Sequence, residues 1–130
     1  MRQVTDQYTK TAHTRPPAKL NLFLELLARR PDGFHEIDTV MIPIDWRDEL
    51  DLQRIPDNRV DLQVQWLPSL QVVAQRLGVE VESSTGRNLL EIPADESNLV
   101  HRALTAFRNA FEIKDGFSCQ LGKQIPAGAG

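Results

Sequence analysis

The chain has 130 residues, 41% hydrophobic and 25% charged, enough for one domain with a core of its own. Fifteen basic against eighteen acidic residues leave a net charge of -3, which argues against a nucleic-acid binder that relies on a broad basic surface. A single cysteine, Cys119, excludes an internal disulfide and suits a reducing cytoplasm, and no apolar run reaches the ~18 residues of a membrane span.

Residues 1–14 are polar with scattered charges, unlike a signal peptide, and read as a leader before the first strand. Leu20, Leu22, Leu24 and Leu26 alternate with Lys19, Asn21, Phe23 and Glu25, which predicts a strand with one apolar face. Lys19 and Asn21 then share the opposite face, roughly 7 Å apart. Arg30-Pro31-Asp32-Gly33 is turn chemistry, and Ile37, Val40, Ile42 and Ile44 supply a second strand, so the two read as a hairpin. Leu50 and Leu52 continue in β, and Val60, Leu62, Val64 and Trp66 alternate strictly.

The period then changes. Leu70, Val73, Ala74 and Leu77 predict a helix over about 69–77, with Gly78 as its terminating glycine. Val79 to Arg87 reads as loop and Leu89 to Ile92 as a short strand. A second helix is predicted over about 98–111, with Leu99, Ala103, Ala106, Phe107, Ala110 and Phe111 as its apolar stripe. Phe117, Cys119 and Leu121 alternate as a last strand, with Cys119 a small core residue. The series predicts an α+β domain with mainly antiparallel sheet and two to three helices.

Small residues from Ala127 to Gly130 let a backbone approach a ligand with its N–H groups turned inward, which suits polyphosphate, although a run of this kind also makes a frayed tail. Lys19 and Asn21 together offer an ammonium and an amide on one surface, as phosphoryl transfer requires; singly, each is an ordinary outer-face polar residue. Phe34 beside His35 suits stacking on a base and hydrogen bonding to it, although a lone exposed histidine is commonly idle. His13, His35 and His101 show no metal-ligand spacing.

The order of these segments is more specific than any one of them. Pro17-Ala18-Lys19-Leu20-Asn21-Leu22-Phe23-Leu24, then Arg30-Pro31-Asp32-Gly33-Phe34-His35-Glu36-Ile37, then Ser97-Asn98-Leu99-Val100, then Lys123 to Gly130 closely resemble the GHMP kinase superfamily. Within it they are similar to members that phosphorylate a cytidyl diphosphate ester of a branched erythritol in isoprenoid synthesis. The resemblance runs from Arg15 to Gly130 and is poor over about 57–94.

It implies a ribosomal-S5-like N-terminal kinase domain over 15–130 that breaks off within the ATP-binding loop. It implies ATP and Mg²⁺ as cofactors, a small-molecule cytidyl diphosphate substrate, and no nucleic acid or membrane partner; self-association into a homodimer stays open. Lys19 would be the catalytic lysine and Asn21 a substrate contact. Phe34 and His35 would hold the cytosine; the family carries tyrosine at position 34, so phenylalanine keeps the stacking face without the hydroxyl. Asn98 and Leu99 would border the adenine, Lys123 its ribose or ring edge, and Pro126, Ala127, Gly128, Ala129 and Gly130 would open the phosphate loop. The family's catalytic aspartate lies beyond this chain, so the chain alone is expected to be inactive. Two other readings stay open: a GHMP kinase of a different alcohol, and a non-catalytic S5-like binding module.

Overall fold

A computed structural model describes residues 10–129, and Gly130 and residues 1–9 lie outside it. The element order is β1 (Thr11–Thr14), β2 (Pro17–Arg29), β3 (His35–Arg47), β4 (Glu49–Ile55), β5 (Val60–Trp66), α1 (Leu70–Leu77), α2 (Ser84–Leu90), α3 (Leu99–Ala110) and β6 (Gly116–Lys123). With three helices and mostly antiparallel strands, the α+β expectation holds. The last residues of the stretch read as a leader form β1, which pairs with β4.

Two sheets divide the strands. The first has the order β1-β4-β6-β5, and the second is the β2–β3 hairpin alone. β4 runs antiparallel to β6, while β5 runs parallel to it. The parallel pair arises because three helices separate β5 from β6 in the chain, and a crossover of that length returns the chain in the same direction. Strict alternation does not distinguish the two senses of pairing, so this pair was not visible in the sequence.

β6 is the centre of the molecule. Its one face carries Phe117, Cys119 and Leu121, all buried, and Leu62 of β5 joins the last two. Leu50, Leu52 and Val64 of the sheet and Val100 and Leu104 of α3 close this cluster. The other face carries Ser118 and Gln120, with Asp51, Gln53, Asp61 and Gln63 beside them in register. The sheet is therefore apolar toward α3 and polar toward solvent.

α3 corrects its predicted stripe. The helix packs on the sheet through Val100 and Leu104, while Ala103, Ala106 and Ala110 are exposed and Leu99 is 76% exposed. Phe107 lies between the two faces, its ring 4.8 Å from that of Phe111 and 6.5 Å from that of Phe117. The i, i+4 pair Val100 and Leu104 was one of two apolar rows on this helix, and β-branched and long side chains fill the groove over the sheet better than alanines do.

A second cluster gathers Val73, Ala74 and Leu90, with Trp66, Leu70, Leu77, Val79, Val81 and Leu89 around them. α1 begins at Ser69, whose hydroxyl accepts from Val72 N–H, and ends at Gly78, which takes φ 66 and returns its N–H to the carbonyls of Ala74 and Gln75. α2 occupies residues predicted as loop and short strand. Ser83 caps it by accepting from Gly86 N–H, and Leu90 is its buried anchor. Trp66 Nε1 donates to Leu90 O at 3.0 Å, joining β5 to this helix.

Candidate functional site

The hairpin carries four of the residues singled out. Its turn forms as the residue types require: Gly33 N–H donates to Arg30 O at 3.0 Å, Arg30 N–H returns to Phe34 O, and Gly33 takes φ 88. Asp32 accepts from Phe34 N–H at 3.1 Å and pairs with Arg30 at 2.7 Å, which fixes the backbone where Phe34 and His35 emerge. Both are exposed, Phe34 by 72%.

Lys19 opposes Pro43 and Asn21 opposes Met41, so the two share a face, as alternation predicted. A register shift follows between Asn21 and Phe23, where Phe23 opposes Val40. Leu22 is thus an extra residue, and the side chains from Phe23 to Leu26 change face, before a second register shift between Leu26 and Arg29. Leu24 and Leu26 come to lie on the face of Lys19 and Asn21, while Phe23 joins Leu20. The single apolar face predicted for this strand is split between both sides. From the level of Asn21 and Met41 to His35 is six residues of β3, or roughly 20 Å. Lys19 and Asn21 therefore stand near the base of the hairpin, and Phe34 and His35 at its far end.

The remaining candidates lie on the four-stranded side. Asn98 is the N-cap of α3 and is buried. Its Oδ1 accepts from Val100 N–H at 2.9 Å and its Nδ2 donates to Pro93 O at 2.7 Å, so its side chain is engaged inside the protein. Leu99 beside it presents an open apolar surface. Lys123 ends β6 and donates from Nζ to Asp48, with both side chains largely buried. Pro126 and Ala127 are half-buried, Gly128 and Ala129 are exposed, and Gly128 takes φ 70, a conformation that favours glycine. Gly130 lies outside the described residues. Among those described, no three His, Cys, Asp or Glu side chains stand together as a metal site.

Asp48 is the residue that sequence reasoning missed. It sits alone between β3 and β4, buried, and its Oδ1 accepts from Gln124 N–H at 2.7 Å and Ile125 N–H at 2.9 Å. Its own N–H donates to Pro16 O at 3.2 Å, at the foot of the strand that bears Lys19. Through this one residue the structure brings the base of the hairpin and the start of the 124–129 segment together. Nothing local in the run Trp46-Arg47-Asp48-Glu49 distinguishes it from its acidic neighbour.

No family model matches the chain. Over 117 residues, 90% of its length, it is 51% identical to the 4-diphosphocytidyl-2-C-methyl-D-erythritol kinase of Rhodopirellula baltica, of which it covers 34%. The protein of the same name from Polynucleobacter asymbioticus is 36% identical over 118 residues, covering 89% of this chain and 31% of its own. A crystal structure of 4-(cytidine 5'-diphospho)-2C-methyl-D-erythritol kinase matches with a TM-score of 0.53 at 25% identity, over 90% of this chain and 33% of that one. Homoserine kinase from Cytophaga hutchinsonii matches with a TM-score of 0.54 at 19% identity, over 98% of this chain and 30% of that one, and shows the fold alone. The chain spans about a third of the length of these relatives. In sequence and in fold it is homologous to the N-terminal region of the 4-diphosphocytidyl-2-C-methyl-D-erythritol kinases.

Proposed function

We propose that this chain is the substrate-side portion of a cytoplasmic, ATP-dependent kinase that phosphorylates the 2-hydroxyl of 4-diphosphocytidyl-2-C-methyl-D-erythritol in isoprenoid synthesis. The observation that carries the reading is the 51% identity over 90% of the chain to a protein bearing that name. The fold does not choose between this kinase and a homoserine kinase, since both crystal structures match it equally well. The hairpin does favour the cytidyl ester. Phe34 offers a ring face for a base and His35 a hydrogen-bonding edge, both held by the Asp32 turn. An extended nucleoside diphosphate ester suits the roughly 20 Å from that turn to Asn21.

In this reading Lys19 places its ammonium against the hydroxyl and the phosphoryl group that meet there, and stabilises the charge that spreads over the transferring oxygens. Asn21 orients the substrate beside it. ATP supplies the phosphoryl group. The Gly128 region gives its backbone amides to the phosphates, and Leu99 borders the adenine by apolar contact, with Asn98 holding the helix end in place. Among the described residues no three His, Cys, Asp or Glu side chains stand together to hold the Mg²⁺ that the resemblance implies. The family's catalytic aspartate lies outside this chain, and we expect no ADP release from the chain alone.

The test is an NMR titration of the chain with CDP, ATP and homoserine in turn. CDP is expected to shift the amides of Phe34 and His35, and ATP those of Leu99 and 124–129. Shifts with homoserine and none with CDP would move the assignment to another kinase of the same fold. Tight RNA binding at physiological salt would favour the non-catalytic module.

A further inference from the structure

A buried carboxylate is costly unless donors satisfy it, and Asp48 has three side-chain acceptor bonds, all to one tripeptide. Lys123 donates its ammonium to Oδ2, and the Gln124 and Ile125 amides donate to Oδ1. The same segment is held twice more: Leu67 N–H donates to Lys123 O at 2.8 Å, and Ala127 N–H donates to Leu89 O at 2.8 Å. Gly128 and Ala129 are exposed beyond the last of these bonds. On its other side Asp48 holds Pro16, the residue before the strand of Lys19. Lys19 lies three residues further, within roughly 10 Å of that bond.

We infer that Asp48 is a positioning residue, a clamp that fixes the 124–129 segment for nucleotide phosphates and sets its distance from Lys19. Asp48 does not meet the phosphates itself, because its oxygens are occupied and its charge would repel them. It turns the Gln124 and Ile125 amides inward, so that the exposed backbone of the segment, among the described residues, is that of Gly128 and Ala129. Lys123, taken by Asp48, belongs to the clamp rather than to the ribose. This inference rests on reading the segment as a phosphate loop.

The test uses the 130-residue chain with Asp48→Ala and Asp48→Asn. Amide exchange is measured at Gln124, Ile125 and Ala127, with Cys119 and Leu121 as reference, and ATP and CDP are titrated separately. Asp48→Ala is expected to speed exchange at Gln124 and Ile125 at least about tenfold with the reference amides unchanged, and to weaken ATP about tenfold. CDP affinity stays constant. Asp48→Asn keeps an acceptor for the two amides and restores ATP to within about threefold. If Asp48→Ala fails to fold, Asp48→Ser, whose hydroxyl is too short to reach both amides, is read against wild type on the same amides with the same loosening expected. Unchanged protection at Gln124 and Ile125, faster exchange throughout β6, or unaltered ATP affinity with a loosened segment each overturns the clamp. A wild type that binds no ATP, with the local loosening as expected, supports the clamp and refutes the nucleotide reading.

Discussion

The two sheets of this protein are built from similar alternating sequences and end in opposite states. β6 lies between β4 and β5, beneath α3, and its inward face is closed. β2 and β3 are longer, 13 residues each, and richer in leucine and isoleucine than β6, yet Leu22, Leu24 and Leu26 are 53–69% exposed. The difference is not composition but what stands opposite. β6 has a helix against it and neighbours on both edges; among the described residues the hairpin's strands pair only with each other. Stability therefore resides on the side that holds Asp48, Asn98 and Lys123, while Lys19, Asn21, Phe34 and His35 ride on the side that adds little to it.

The sharpest way to break this contrast is to empty the core. Leu121→Ala is expected to cost about 3 kcal/mol, because Leu121 is buried against Leu62 at the centre of the sheet. Urea denaturation reads it directly. A loss below about 1 kcal/mol would mean that β6 is not the centre of stability.

The second effect depends on pH. Burial, and then the charge of Asp51, pushes the Cys119 thiol up to about 11. An unfolded thiol ionises near 8.5. Above that value the unfolded state loses a proton that the folded state keeps, so folding stability falls as pH rises from about 8.5 toward 11. The loss reaches about 3 kcal/mol at the top of that window. Cys119→Ala, which lacks the titrating group, is expected to flatten the slope. Equal slopes in the two proteins would remove the thiol from the account.

Asn98→Ala comes third. It deletes the cap on Val100 N–H and the bond to Pro93 O, for an expected loss of about 1–2 kcal/mol by thermal or urea unfolding. The same variant sharpens the functional reading. If Asn98 acts by holding the helix end, Asn98→Asp, which keeps the acceptor for Val100 N–H and lacks the donor to Pro93 O, recovers only the share owed to the cap.

What the sequence made legible follows from which forces are local. Alternation located β2 to β6 but not β1, which was read as leader, and the α1 cap at Gly78 was read correctly because a left-handed glycine is a property of a few residues. α2 was missed because Ser84-Thr85-Gly86-Arg87 is a poor helix former, held in shape by Leu90 in a distant cluster. Leu22 alternates perfectly in sequence, and the bulge that reverses the faces appears only when β3 is laid beside it. Among the site residues, the pairing of Lys19 with Asn21 on one face was legible. The capture of Lys123 by Asp48, 75 residues away in the chain, was not. A carboxylate's partners are tertiary, and Asp48 and Glu49 look alike until the chain is folded.

The smallest expected effect tests the other half of the contrast. Leu24→Thr exchanges one exposed residue for another of high strand propensity, at a position opposite Thr39 and away from any core cluster. The side chain is already 53% exposed, so there is little transfer energy to lose, and the stability change should stay within about 0.5 kcal/mol. Urea denaturation alongside Leu121→Ala makes the comparison direct, because both begin from leucine on a strand. A loss at Leu24 as large as that at Leu121 would show that something covers the hairpin in solution. Light scattering across a concentration series would then show whether the cover is a second copy of the chain, since only that would make the loss depend on concentration.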